Sequence, residues 1–211
     1  MFRAGDVIVL GVLIALGADR WNQGREDRAA GSDYLVRLRA ELRADSGRIS
    51  GERMEELAAV EGGLVLLDVV EGAESDSSSR GLYFSCARGA PLPYPGGSTF
   101  QEILGTGSLD LLPEGARQVL FDYYGFVAAQ SLRMEDVRRL GWTPLSEAAF
   151  ETGAWLPRDR LPDAEWLERF RDYPNIAGVV SKCVGWHQTT STMLRQWEGR
   201  VGEVLAVLDG H

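Results

Sequence analysis

The chain has 211 residues and a mass of 23.2 kDa, the size of one domain or of one domain with an appendage. Its 45% hydrophobic and 25% charged residues exclude wholesale disorder. With 22 Lys+Arg against 31 Asp+Glu, a net charge of −9 and a pI near 4.8, it lacks the basic footprint that nucleic-acid binding needs.

The charge is unevenly placed. Residues 1–43 carry seven arginines and six acids, a net of +1, which leaves −10 for the remainder. This near-neutral part opens with an apolar run from Val7 to Ala18, and Asp6 before it is well typed as a helix N-cap. Twelve residues of helix reach about 18 Å, short of a hydrocarbon core about 30 Å thick. Counted from Phe2 to Trp21 the segment has twenty residues, a full span if Arg3 and Arg20 snorkel and Trp21 sits in the interface. A cleaved signal peptide fits poorly, because Asp6 intrudes on its basic end and Leu16-Gly17-Ala18 is a poor cleavage site. A buried core helix is the plain alternative. A short single-pass anchor over residues 1–21, touching lipid, is the reading preferred here. Ala4, Gly11, Ala15 and Ala18 then form a small-residue face on which another transmembrane helix can pack. Arg20, Arg25, Arg28, Arg37 and Arg39 outweigh Arg3, which places the following domain in the cytoplasm; a signal anchor would export it, to the periplasm if the source is bacterial as the resemblance below implies.

Residues 22–32 read as a polar juxtamembrane linker with two glycines, continuing the helix or hinging it. A helical domain over 33–211 follows. Leu35, Leu38, Leu42, Ile49, Leu57, Val60, Leu64 and Leu67 predict a long helix with bends at Gly47, Gly51 or Gly62-Gly63. Residues 72–97 are a loop-rich insert in which Gly81–Cys86 is a short strand or a tucked loop. Ser98 and Thr99, each followed three residues later by Gln101 and Glu102, form overlapping capping boxes for a helix through Leu104, stopped by Gly105 and Gly107. Pro113 suits the first turn of a helix with Ala116, Val119, Leu120, Tyr123 and Val127 on one face. Asn175 is typed as the N-cap of the last helix. A 4-3 seam runs along that helix through Ile176, Val180, Cys183, His187, Thr190, Leu194, Trp197, Val201, Val204 and Leu208. That seam predicts either an antiparallel partner within the chain or pairing between chains. The fold class expected is all-α: an anchor, then a bundle of long antiparallel helices with irregular loops.

Signatures of known chemistry are missing from the sequence: there is no G-x-S-x-G, H-E-x-x-H, C-x-x-C, P-loop or dinucleotide-binding G-x-G-x-x-G. Two cysteines and two histidines are too few for a zinc module or a disulfide framework, so no catalytic residue, metal or cofactor is assigned. His187 reads as a core or interface histidine. Cys86 and Cys183 read as a disulfide if the domain is exported and as buried thiols if it is not. Glu52, Glu55 and Glu56 have the spacing of a solvated helix surface. Trp142, Trp155, Trp166, Trp186 and Trp197 are numerous, with core packing accounting for most.

Two stretches carry a resemblance. G-D-V-I-V-L-G-V-L-I-A-L-G-A-D-R-W-N and S-T-F-Q-E-I-L-G-T-G-S-L-D-L-L-P, the latter followed by V-L-F-D-Y-Y, resemble the opening and central motifs of a bacterial family of membrane-anchored helical proteins of unknown function. The chain departs from that pattern at Asp6, at Asp19 and Arg20, and in a shorter lead-in. The resemblance implies an anchored helical protein and transfers no catalytic residues. The function expected is a non-catalytic accessory subunit bracing other membrane protein subunits, for which a respiratory or photosynthetic complex is one host. The alternative is a tethered sensor with a pocket near Tyr123, Tyr124, Trp186 and His187. No nucleic acid and no small-molecule substrate is expected.

Overall fold

The structure is a computed structural model that describes residues 4–74, 79–87 and 96–210. Its elements are α1 (Ala4–Val70), α2 (Ser79–Ala87), α3 (Ser98–Thr106), a 3-10 turn (Ser108–Leu111), α4 (Glu114–Thr152), α5 (Asp163–Arg171) and α6 (Ile176–Asp209). Among the described residues there is no strand, and the all-α class holds.

The ten seam residues of α6 are all buried. They are covered within the chain, not by a second one. Arg39 reaches the Leu208 carbonyl, Arg53 pairs with Glu198 and Glu56 meets His187, so α1 runs antiparallel to α6. The pairs Tyr123–Trp197 and Arg200–Phe126 lay α4 along another side of α6. The apolar interior falls into two clusters stacked along α6. The first joins Leu35–Ile49 of α1, α3, the first half of α4 and Met193–Leu208. The second joins Leu66 and Val69 of α1, α2, Leu145–Ala149, α5 and Ile176–Trp186.

Several sequence expectations are corrected. The 67 residues of α1 form one helix of about 100 Å. It crosses both expected boundaries, so residues 22–32 take the first of their two alternatives and continue the helix. Among the described residues no helix is long and apolar enough to cross a membrane. The physical reason lies in the charges: Asp6 on one side and Asp19 with Arg20 on the other confine the apolar run to twelve residues. This overturns the single-pass localisation and the orientation drawn from it. Arg3 lies outside the described residues, as do the side chains of Ala4, Gly11 and Ala15. Ala18 and Arg20 are exposed, as is Trp21, with the Arg25 guanidinium 5.7 Å from its ring centroid.

The glycines of α1 do not interrupt it. A Cβ on Gly63 would lie 2.6 Å from Val184 Cγ2 and 2.9 Å from Cys86 Sγ, and one on Gly62 would lie 2.1 Å from Ser85 Oγ. The pair is the flat spot on which α2 and α6 press against α1. Leu57 and Leu64 are 42% and 46% exposed, whereas Glu56 is buried. The inner face of α1 keeps the strict 3-4 register of Leu35, Leu38, Leu42, Asp45 and Ile49 on through Glu56, Ala59, Gly63 and Leu66. The leucines at 57 and 64 stand one residue off it.

Residues 81–86 are helical, part of α2, because Arg80, Tyr83 and Ala87 share one buried face. The Tyr83 ring meets Trp166 and Phe170 edge-on at 5.5 and 5.1 Å, and its hydroxyl donates to the Leu145 carbonyl at 3.2 Å. The other turn-rich parts of the insert, 75–78 and 88–95, lie outside the described residues. The capping boxes do not form. Gly97 occupies the N-cap of α3, and Ser98 and Thr99 instead donate across to the Glu41 carboxylate of α1, from Thr99 Oγ1 at 2.7 Å. Burial pushes the Glu41 carboxyl up, but these hydrogen bonds hold it below its usual value. The helix runs past Gly105 and ends at Thr106, with Gly107 at φ +69°. Asn175 precedes α6 in a left-handed conformation, and its side chain caps nothing.

The crossing at Gly63 generates a contrast in sign. Gly63→Ala should cost about 1–3 kcal/mol by overpacking. Gly47→Ala, on the exposed side with nothing within 4 Å of a new Cβ, should instead gain about 0.5–1 kcal/mol. Urea titration followed by circular dichroism measures both.

Candidate functional site

Four ionisable side chains meet at the boundary between the two apolar clusters. Glu56 arrives from α1, Cys86 from the last turn of α2, and Cys183 and His187 from successive turns of α6. All four are buried, with no more than 1% of any residue exposed. Each occupies its place because its helix register demands it: 183 and 187 belong to the α6 seam, 56 to the α1 register, and 86 packs where Gly63 leaves room.

His187 holds the cluster together. Its Nδ1 lies 2.6 Å from Glu56 Oε2, and its Nε2 lies 2.6 Å from the Cys86 carbonyl oxygen. Both neighbours are acceptors, so both ring nitrogens donate and the ring is an imidazolium. The Cys183 thiol donates to the same Cys86 carbonyl at 3.3 Å. The Trp186 ring closes over His187 at 4.3 Å, tilted by 55°. Burial works against the charge on His187, but its bonds to Cys86 and Glu56 outweigh it and raise the pKa to about 9. The hydrogen bond from Cys183 lowers the Cys86 thiol, against the opposing effect of burial, and His187 adds to the lowering. Cys183, which keeps its proton toward Cys86 and is itself desolvated, is pushed up.

The cysteines are both free and buried. The donor atoms of Cys86, Cys183 and His187 all lie within 4.8 Å of one another. Polar atoms around them are incompletely satisfied: Glu56 Oε1, Thr190 Oγ1 and Trp186 Nε1 are buried without a hydrogen-bond partner. The arrangement can therefore do two things chemically. It can hold a thiolate beside an imidazolium, and it can present two sulfurs and a ring nitrogen to one centre.

The sequence placed Cys183 and His187 on the seam but did not foresee their partners. Glu56 was read with Glu52 and Glu55 as solvated surface; carrying the register of Leu35, Leu38, Leu42 and Ile49 forward by seven lands on it directly. No local pattern could pair Cys86 with α6, since 97 residues separate it from Cys183. The four residues expected around a sensor pocket do not converge. Tyr123 receives the Trp197 indole N–H at 3.2 Å, ten residues and about 15 Å along α6 from His187. Tyr124 stacks on Phe100 at 4.3 Å. Trp166 and Trp197 are core residues, whereas Trp155 is 54% exposed, and the side chain of Trp142 lies outside the described residues. No family model, curated protein or solved structure matches this chain.

The two shifts act oppositely on stability. His187, raised, contributes stability that is complete below its unfolded value near 6.5 and is lost as pH climbs through about 9. Cys86, lowered, contributes stability that is lost as pH falls and is complete above its unfolded value. The two therefore oppose each other, and the native unfolding midpoint should fall less steeply with pH between about 6.5 and 9 than that of a variant lacking the Cys86 thiol. Cys86→Ser, which keeps the His187–Glu56 pair alone, should lose stability across that window. Thermal melts at intervals across it decide the matter, and two parallel profiles would contradict the assignment.

Proposed function

We propose that this chain is a non-catalytic accessory subunit that docks a helix of another protein through the amino-terminal arm of α1. One observation carries the reading. The bundle begins at Gly31, where the Leu111 carbonyl oxygen lies 2.4 Å from the place a Cβ would occupy. Before it, residues 16–29 of α1 are exposed apart from half-buried Gly24. From Ala4 to Ala30 the helix extends about 40 Å from the bundle.

Local bonds support this arm: Asn22 Nδ2 donates to Glu26 at 2.8 Å and Arg28 Nε donates to the Gly24 carbonyl at 2.7 Å. Such pairs contribute only a few tenths of a kcal/mol each, about 0.2–0.5. An isolated helix of this length is marginal in water and gains most of its stability from packing. The arm carries the run Val7–Ala18, and the sequence spacing sets Ala4, Gly11, Ala15 and Ala18 on one face, where a partner backbone can approach closely. Its flank is mixed in charge, with Asp19, Arg20, Arg25, Glu26, Asp27 and Arg28 forming a polar rim to an apolar patch. The same segment contains the first of the two motifs that resemble the bacterial family. The second forms α3 and the 3-10 turn that brace α1 where it enters the bundle. Membership of that family is carried as part of this proposal for the helical protein alone.

Deleting residues 4–28 tests the reading, because it leaves every buried contact of the bundle in place. The full chain, isolated under native conditions, should run in a complex of fixed stoichiometry with a second, identifiable polypeptide. The deleted chain should run as a monomer with an unchanged helical melt. A full-length chain that is monomeric, or that associates only with itself, would refute the docking role.

A further inference from the structure

The cluster between the two apolar halves is costly to bury. Four ionisable groups occupy a stretch of seam where apolar residues would pack without desolvation loss, and such groups stay inside a protein when they are fully paired or coordinate a metal. Here the pairing is incomplete, since Glu56 Oε1 and Thr190 Oγ1 have no partner. Cys86 from α2 and Cys183 and His187 from one face of α6 each place one donor atom within 4.8 Å of the others. Behind the imidazole stands a carboxylate on the opposite ring nitrogen, 2.6 Å from Nδ1. A carboxylate bonded to the far nitrogen of a histidine is the arrangement that fixes the ring and raises its basicity at metal sites.

We propose that Cys86, Cys183 and His187 bind one divalent cation of the zinc class, with Glu56 as the positioning residue behind His187. Two sulfurs and one nitrogen select a borderline-soft cation over magnesium or calcium, which take oxygen donors. At tetrahedral corners, with bonds of about 2.0–2.3 Å, such donors stand roughly 3.3–3.8 Å apart. Side-chain movements of about an ångström close the present set to that geometry. Binding forms two metal–sulfur bonds and one metal–nitrogen bond. The Cys183 thiol proton and the His187 Nε2 proton pass to solvent, together with that of Cys86 where it is still protonated. His187 then exchanges the Cys86 carbonyl for the metal and keeps its Nδ1–H on Glu56. No electron is transferred.

The bound cation joins α2 to α6, and through the His187–Glu56 bond holds α1 as well, at the level where the apolar contacts of the two clusters give way to polar groups. That location suits a structural staple acquired during folding, since the cluster is sealed from solvent by its own helices. Two cysteines and two histidines in the whole chain gave no sequence signal for it. Cys183 and His187 lie one turn apart on α6, but the third ligand, Cys86, comes from α2, 97 residues before Cys183, so no zinc-module spacing arises.

Cobalt(II) is the probe. The full chain, reduced and refolded from denaturant with one equivalent of Co2+, should develop the intense near-ultraviolet band of thiolate-to-cobalt charge transfer. One equivalent of Zn2+ should abolish it and raise the thermal midpoint. Cys86→Ser and Cys183→Ser should each lose at least half of the band, and Glu56→Gln should bind about 10–100-fold more weakly while keeping the band's shape at saturation. The wild-type titration stands even where a variant misfolds. No thiolate band at one equivalent, or a band that survives both cysteine substitutions in folded protein, overturns the proposal.

Discussion

The antiparallel register between α1 and α6 is the constraint on which the rest of the molecule depends. Two helices that both keep a 4-3 alternation over many turns can pack along their whole length, because the stripe stays on the facing side. Once Leu38 and Leu42 sit beside Val204 and Leu208, the geometry of rise per residue places Glu56 beside His187 and Gly63 beside Val184. Neither residue at 56 nor at 63 was chosen for hydrophobicity. One supplies a carboxylate and the other supplies absence of a side chain.

That absence matters as much as any contact. With no Cβ at 62 and 63, α2 comes near enough for the Cys86 sulfur to enter the seam. With no Cβ at 31, the 3-10 turn closes on α1 and marks where the bundle begins. Between these two close approaches two buried acids and one half-buried acid are each tied to a different segment. Asp45 accepts from the Gly96 backbone N–H at 3.0 Å, Glu41 takes the start of α3, and Glu56 takes His187. Polar groups on the inner face of α1 thus specify which loop and which helix lie against each of its turns. Apolar packing, being undirected, does not do so.

How far the fold could be read depended on the scale of the signal. The α6 seam was legible because apolar letters recur without interruption from Ile176 to Leu208, and its residues are buried. The first half of α1 was legible for the same reason. Beyond Ile49 the reading followed leucines to positions 57 and 64, which the structure exposes, while the true stripe passed through Glu56, Ala59 and Gly63. The capping boxes at Ser98 and Thr99 were sound local chemistry, outcompeted by a carboxylate from another helix. At the amino terminus the apolar run suggests a membrane span. Counting its charged borders leaves it too short, and what remains is a long helix leaving the bundle.

The sequence by itself determined the class of structure and its longest elements, since helical periodicity is a property of neighbours three and four residues apart. It also determined where charge accumulates. Only the tertiary structure decided that Glu56, Cys86, Cys183 and His187 share one buried site. Their meeting is set by the offset between three helices and by two glycines that permit contact, quantities that no window along the chain contains. A short-range pattern can say which face of a helix is apolar. What lies against that face is a long-range fact, and here the chemistry resides in it.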